Sequence, residues 1–208
     1  MNHYSLRIIE PKDLGSVVEI HKKSFPDSLL TMLENRTIER YYEWQMGVPN
    51  QCHAVGCYED EMMVGFCFAG VFRDSEIGFL KRNWRLILKQ LIIHPELLKQ
   101  KIVLKRALFL ISAMFNQVIP KKQSSDYVNS KKFGVLSIAV DPKYQGLKIG
   151  KELIQESESF ARQSKFTIMR LSVHIDNIQA IHFYENQGWM KKLDESGKWT
   201  GLMDKALI

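Results

Sequence analysis

The sequence has no apolar run long enough to cross a membrane. Its longest, Ala107 to Phe115, falls well short of the roughly 18 residues such a span requires. No apolar stretch follows the opening Met1-Asn2-His3-Tyr4, so no signal peptide is expected. Cysteine is scarce. Cys52, Cys57 and Cys67 are odd in number and sit in strand-like text, which points to reduced thiols in a cytoplasmic protein. A zinc site on Cys52, His53 and Cys57 lacks a fourth ligand at suitable spacing, so buried small apolar side chains and no metal are expected. Two phosphate-binding signatures are missing as well: no GxxxxGK[ST] and no GxGxxG occurs. No internal repeat is visible.

What is present is ordinary in bulk and uneven in detail. The 208 residues, 45% hydrophobic and 25% charged, suit one globular domain with an insertion. The net charge of +6 is not spread evenly. Residues 73–132 hold 13 Lys and Arg against 4 Asp and Glu, while the rest of the chain holds 16 against 19.

Leu6-Arg7-Ile8-Ile9 reads as a strand. Pro11-Lys12-Asp13-Leu14 starts a helix with Leu14, Val17, Val18 and His21 on one face, and Pro26 ends it. A second helix, from Leu29 to Gln45, carries Leu30, Leu33, Ile38, Tyr41 and Tyr42. His53 to Tyr58 and Met62 to Phe72 form a hairpin about Glu59-Asp60-Glu61. From Glu76 to Gln117 the text is helical, amphipathic and basic. Trp84, Leu88, Leu91 and Ile92 make an apolar stripe, His94-Pro95 interrupts it, and Leu104, Leu108, Ile111 and Phe115 resume it. Lys121 to Lys132 is polar and reads as a loop. Next come a strand Val135 to Val140, a helix Lys148 to Ser164 and a strand Thr167 to Val173. A helix Ile178 to Gln187 follows, with Gly188 as its C′ glycine. Strands near Met190 to Lys192 and Trp199 to Lys205 close the chain.

The chemistry concentrates between Val140 and Lys151, which reads VDPKYQGLKIGK. Pro142 stops the strand. Gly146 and Gly150 let backbone approach a ligand, and Lys148 and Lys151 bring charge beside the unpaired N–H groups of a helix N-terminus. That is an anion site, or else an ordinary strand-to-helix turn with glycine for packing. After the next strand stand Asp176-Asn177-Ile178-Gln179-Ala180 and Phe183-Tyr184-Glu185-Asn186-Gln187-Gly188-Trp189.

Together, residues 135–192 resemble the GNAT superfamily of acyl-CoA-dependent N-acetyltransferases. The resemblance implies an α/β fold of the α+β type. Its mixed, mostly antiparallel central sheet contains a splayed strand pair and has helices on both faces. Here the basic helical insertion, 73–132, precedes the cofactor strand inside a single domain, 1–208. It also implies acetyl-CoA as cosubstrate. The strand at Ile138, Ala139 and Val140 would pair with the pantetheine arm through Ile138 and Val140, with the neighbouring strand at Leu171-Ser172-Val173 splayed away. The amides of Gln145, Gly146, Leu147, Lys148, Ile149, Gly150 and Lys151 would hold the pyrophosphate. Asn177 matches the asparagine that hydrogen-bonds the cofactor, and it also suits a helix cap. Tyr184 matches the tyrosine near the CoA sulfur, where a phenol protonates the departing thiolate; outside that motif it would read as core packing like Phe183. The family turn is Gln/Arg-x-x-Gly-x-Gly/Ala. Gln145 and Gly150 match with Ile149 between them, but Lys148 replaces the middle glycine, and a residue in a first helical turn is expected to need no positive φ. No general base is legible; His174, at the mouth of the expected splay, either assists or, as a strand-end histidine, is a bystander.

The acceptor half is thinner. Position alone suggests the connection Phe25-Pro26-Asp27-Ser28 and Thr31, with Asp27, Ser28 and Thr31 as substrate-binding residues and Asp27 facing a cationic amine unless it is merely solvated. The expected acceptor is an amine of a small molecule or peptide. The basic insertion suits an anionic acceptor such as a nucleotide-linked amino sugar, or peripheral contact with anionic lipid, or a solvated lid. No nucleic-acid motif is present, and a monomer or homodimer is expected. A module of the same fold that binds acyl-CoA without turnover, as a sensor or partner-binding domain, is the alternative.

Overall fold

A seven-stranded sheet forms the centre of the computed structural model, which describes residues 4–28, 30–47, 52–71, 79, 82–93 and 133–207. The strands are β1 (Tyr4–Ile8), β2 (His53–Glu59), β3 (Met62–Val71), β4 (Phe133–Val140), β5 (Ile168–Ser172), β6 (Met190–Leu193) and β7 (Trp199–Ala206), in the spatial order β1-β2-β3-β4-β5-β7-β6. All neighbours are antiparallel except β4 and β5, which run parallel. The mixed, mostly antiparallel sheet is the expected one.

β2 and β3 are apolar almost without alternation because the sheet is covered on both faces. On one side lie α1 (Leu14–Ser24) and α2 (Asn35–Met46), which bury Val17, Val18, Ile38 and Tyr42 against Phe66 and Phe68. On the other lies α4 (Ile149–Gln163), which buries Ile149, Leu153, Ile154 and Ala161 against Val64, Cys67 and Phe133. Each of the buried Val, Leu, Ile and Phe side chains contributes about 2 kcal/mol on leaving water. α5 (Ile178–Glu185) adds Ile181 and Tyr184 to the buried residues. Its end is a Schellman turn: Trp189 N–H reaches Tyr184 C=O, Gly188 N–H reaches Glu185 C=O, and Gly188 takes φ +83°.

The second helix starts at Asn35, not Leu29 as its periodicity suggests. Thr31 N–H donates to Ser28 Oγ at 3.1 Å and Thr31 Oγ1 donates to Phe25 C=O at 2.6 Å. These hydroxyls offer the backbone turns in place of a helical ladder. Of the basic insertion, the described part is Phe79, 82–83 and α3 (Trp84–Ile93). Phe79 is buried edge-on against Tyr41, at 5.4 Å between centroids, and Arg82 lies 5.7 Å from the Trp44 ring centroid, so the start of the insertion is docked on α2. The apolar stripe is open at its described members: Trp84 and Leu88 are exposed and Ile92 is 72% exposed. The resumed stripe from Leu104 to Phe115 and the loop Lys121 to Lys132 lie outside the described residues. No helix among the described residues is long and apolar enough to cross a membrane.

Candidate active site

The parallel pair β4 and β5 is joined at only two positions, Phe133 with Met169 and Gly134 with Arg170. Beyond them β5 continues alongside β7, where Val173 N–H meets Gly201 C=O at 2.9 Å, and the remaining length of β4 has no strand partner on that side among the described residues. This is the splay. Asp141 N–H donates to Val64 C=O on the β3 side. In a planar trans peptide the preceding carbonyl points the opposite way. Val140 C=O therefore faces the splay, where Ser24 Oγ reaches it at 3.1 Å and Gln145 Nε2 at a marginal 3.4 Å. Strand alternation gives Ile138 the same backbone direction. These are the two residues expected to offer their backbone there.

The chain leaves β4 through Asp141, whose carboxylate accepts Lys143 N–H at 3.0 Å and pairs with Lys23 of α1 at 2.8 Å. Burial pushes its pKa up, but the Lys23 ammonium and the Lys143 amide outweigh that and hold it below the usual carboxylate value. A 3-10 turn (Pro142–Tyr144) follows, then Gln145 in extended conformation, then Gly146 at φ +83°. Lys148, directly before α4, sits at φ +64° and ψ 4°. The expectation that this residue needs no positive φ is corrected: it is left-handed, which costs a side-chain-bearing residue about 1–2 kcal/mol. The steric requirement explains why the family pattern places glycine here. The Lys148 carbonyl accepts the N–H groups of Lys151 and Glu152, so the amides before them open the helix unpaired, with the ammonium groups of Lys148 and Lys151 exposed beside them.

Between the open edge of β4, the start of α4 and the inner face of α5 lies a cavity of about 500 Å³. β4 contributes Ile138, Ala139 and Val140; the turn and α4 contribute Gln145, Gly146, Lys148, Ile149, Gly150 and Lys151. α5 contributes Gln179, Ala180, Phe183 and Tyr184, flanked by Asn177 and Gln187. Leu147, expected with this group, is exposed and stands outside the lining. Asn177 caps α5, its Oδ1 accepting Ala180 N–H at 3.1 Å, which leaves its NH2 as a donor. A Cβ at Gly150 would meet Phe183 at 3.4 Å and Val140 at 3.8 Å, so the missing side chain opens the wall between α4 and α5.

Tyr184 is 8% exposed and packs edge-on to Phe183 and Trp189. Burial, followed by the Cys67 sulfur, raises its pKa well above that of a free phenol, so it stays protonated in the neutral range. Cys52, Cys57 and Cys67 are free thiols, and burial pushes Cys57 up to about 11 and Cys67 up to about 12. His53 stacks on Phe160 rather than joining them. No group of three His, Cys, Asp or Glu is placed to hold a metal ion among the described residues.

On the acceptor side the structure separates residues that position alone had grouped. Asp27 is exposed, and neither it nor Ser28 or Thr31 lines the cavity. Ser28 and Thr31 are instead hydrogen-bonded to each other, and Ser28 also to His21. His174 lies exposed beside Asp176, also outside the lining. Of the acceptor-side connection only Phe25 lines the cavity, and sequence reasoning missed Ser24, Tyr144, Gln179, Ala180, Phe183 and Gln187 as lining residues.

No curated protein matches this chain in sequence. Among solved structures, the chain is similar in fold to the ribosomal-protein-S18-alanine N-acetyltransferase of Escherichia coli, with a TM-score of 0.58 at 14% identity over 99% of this chain and 94% of that one. It is similar to the PaiA N-acetyltransferase of Thermoplasma acidophilum in complex with coenzyme A, with a TM-score of 0.55 at 15% identity over 98% and 99% of the two chains. It is also similar to YncA of Salmonella typhimurium, solved with its cofactor acetyl-CoA, with a TM-score of 0.59 at 13% identity over 100% and 95%. Residues 14–189 match the Acetyltransferase (GNAT) family, and the chain belongs to that family of acetyltransferases.

Proposed function

We propose that the protein transfers an acetyl group from acetyl-CoA to a primary amine by direct attack within a ternary complex. The observation that carries this reading is the open edge of β4 facing a cavity whose lining includes both the first turn of α4 and Tyr184. The pantetheine arm would run along Ile138 and Val140, the pyrophosphate would lie against the amides and ammonium groups from Gln145 to Lys151, and the Asn177 NH2 would donate to the arm. In the reaction the amine nitrogen forms a bond to the acetyl carbon as the C–S bond breaks. The sulfur takes the Tyr184 proton, and the phenolate regains one as the amine sheds its own to solvent.

Chain 1–208 is read as one domain carrying the 73–132 insertion. The acceptor is a small-molecule or peptide amine; the E. coli neighbour acts on a ribosomal protein, and the basic insertion suits an anionic acceptor. Isothermal titration with acetyl-CoA, followed by thiol release across amines including nucleotide-linked amino sugars, peptides and polyamines, tests the reading. Saturable binding and release with at least one amine are expected. Tyr184→Phe should lower kcat by roughly 100-fold or more while retaining acetyl-CoA affinity, and Gly150→Glu should abolish binding by placing a carboxylate in the cleft. Binding without release for any amine would favour the sensor alternative.

A further inference from the structure

Five side chains link the α1–α2 connection to β4, and their hydrogens can be assigned from one end. Thr31 Oγ1 lies 2.6 Å from Phe25 C=O, and a carbonyl only accepts, so Thr31 donates. Ser28 Oγ, 2.8 Å from Thr31 Oγ1, must then donate to it. Ser28 Oγ is left to accept, which it does from Thr31 N–H at 3.1 Å and from His21 Nε2 at 3.2 Å. His21 therefore carries its proton on Nε2 and presents the bare Nδ1 to the Tyr42 hydroxyl at 2.7 Å. Tyr42 donates there, and its oxygen accepts from Ser137 Oγ at 3.1 Å. His21 is 5% exposed, and burial holds its pKa down to about 4, so the ring stays neutral and the polarity does not reverse in the neutral range.

The consequence falls on Ser137. Its proton is committed inward, and its oxygen lone pairs are what remain for a ligand. It lies on the length of β4 beyond the described pairing with β5 and does not itself line the cavity, but Ile138 beside it does, as does Ala139, two residues on along the same strand face. Its side chain turns to the α1–α2 face and is partly exposed. An acceptor-only hydroxyl beside the reacting strand fits a hydrogen-bond donor. We infer that Ser137 receives an N–H of the acceptor amine, and that the chain through Tyr42 and His21 holds it as an acceptor so that the amine lone pair is turned to the thioester. Ser137 is thus a residue that touches substrate, and Tyr42, His21 and Ser28 are positioning residues behind it. The inference rests on the acetyltransferase reading above and deepens it.

Steady-state kinetics with an amine identified from the panel, together with acetyl-CoA titration, test it. Ser137→Ala should lower kcat/KM for the amine about tenfold, the worth of one lost hydrogen bond. The acetyl-CoA Kd should not change, and Ser137→Thr should restore most of the loss. Tyr42→Phe, nearly isosteric, should give a smaller loss in the same parameter by freeing the Ser137 hydroxyl to rotate. A merely bracing role would lower stability in all three variants and leave amine kinetics alone. Ring nitrogen NMR of His21 should show a protonated Nε2 and a bare Nδ1; the other tautomer would overturn the assignment. Wild-type amine kinetics in Ser137→Ala would sink the role of Ser137 alone. Absence of thiol release by the wild type with every amine would overturn the transferase reading and this role with it.

Discussion

Lys148 combines two effects that a single substitution separates. Its backbone occupies a left-handed position and its ammonium stands beside the unpaired amides of α4. Lys148→Gly should make the protein about 1 kcal/mol more stable, the relief of strain being partly offset by the entropy glycine restores to the unfolded chain. The same variant should bind acetyl-CoA several-fold more weakly if the pyrophosphate lies where proposed, since a cation beside those amides is lost. Chemical denaturation and titration calorimetry read the two effects independently, and a destabilised variant would refute the strain. His21 carries the pH dependence at this scale. Its folded pKa, about 4, lies below the unfolded value near 6.5, so the unfolded chain binds the proton first as pH falls. Stability from this group is therefore whole above pH 6.5 and lost progressively down to about 4. Between pH 7 and 5 the loss is about 2 kcal/mol, and His21→Gln should remove that portion of the slope while leaving the contribution of His53, which is also shifted down.

Among the elements, β5 and β7 show how closely the splay is held. A Cβ at Gly201 would lie 2.3 Å from Val173 C=O, and Gly201 takes φ +94°. Gly201→Ala should cost about 2 kcal/mol or more by forcing β7 off the end of β5, with acetyl-CoA binding weakened as α5 shifts. Thermal unfolding with and without ligand would check both; an unchanged melting temperature would contradict the contact. α1 and α4 were legible because each repeats one period over its length, β2 and β3 because they are apolar runs about the acidic turn Glu59-Asp60-Glu61, and Asn177 and Tyr184 because they stand at fixed offsets on one short helix. The start of α2 was not legible, since the hydroxyls of Ser28 and Thr31 outcompete a helical ladder that periodicity alone favours. Ser24 entered the cavity through the docking of α1 on β4, a tertiary event with no local signature. Likewise His21 was visible as one member of an apolar face, but its partners Tyr42 and Ser137 come from α2 and β4, so nothing in the linear text joins the three. Lys148 was misread because a left-handed backbone leaves no mark on the residue that adopts it.

At the scale of the molecule, the sheet is nearly two sheets, β1 to β4 and β5 to β6, sharing two residue pairs. Acetyl-CoA lying along β4 would supply the hydrogen-bond partners that β5 does not. Amide exchange at Ile138 and Val140 should slow on adding acetyl-CoA, while Phe133 and Gly134, already paired, should change little. At a hundredfold excess over Kd the ligand should add about 2.7 kcal/mol to global stability. Equal protection along the whole of β4 would argue against this path for the arm. Along this seam, robustness and turnover pull in opposite directions. Substitutions that zip β4 to β5 further would give a tougher protein with its entrance sewn shut, so a search for thermostable variants should find its gains elsewhere and leave those six residues of β4, 135–140, loose.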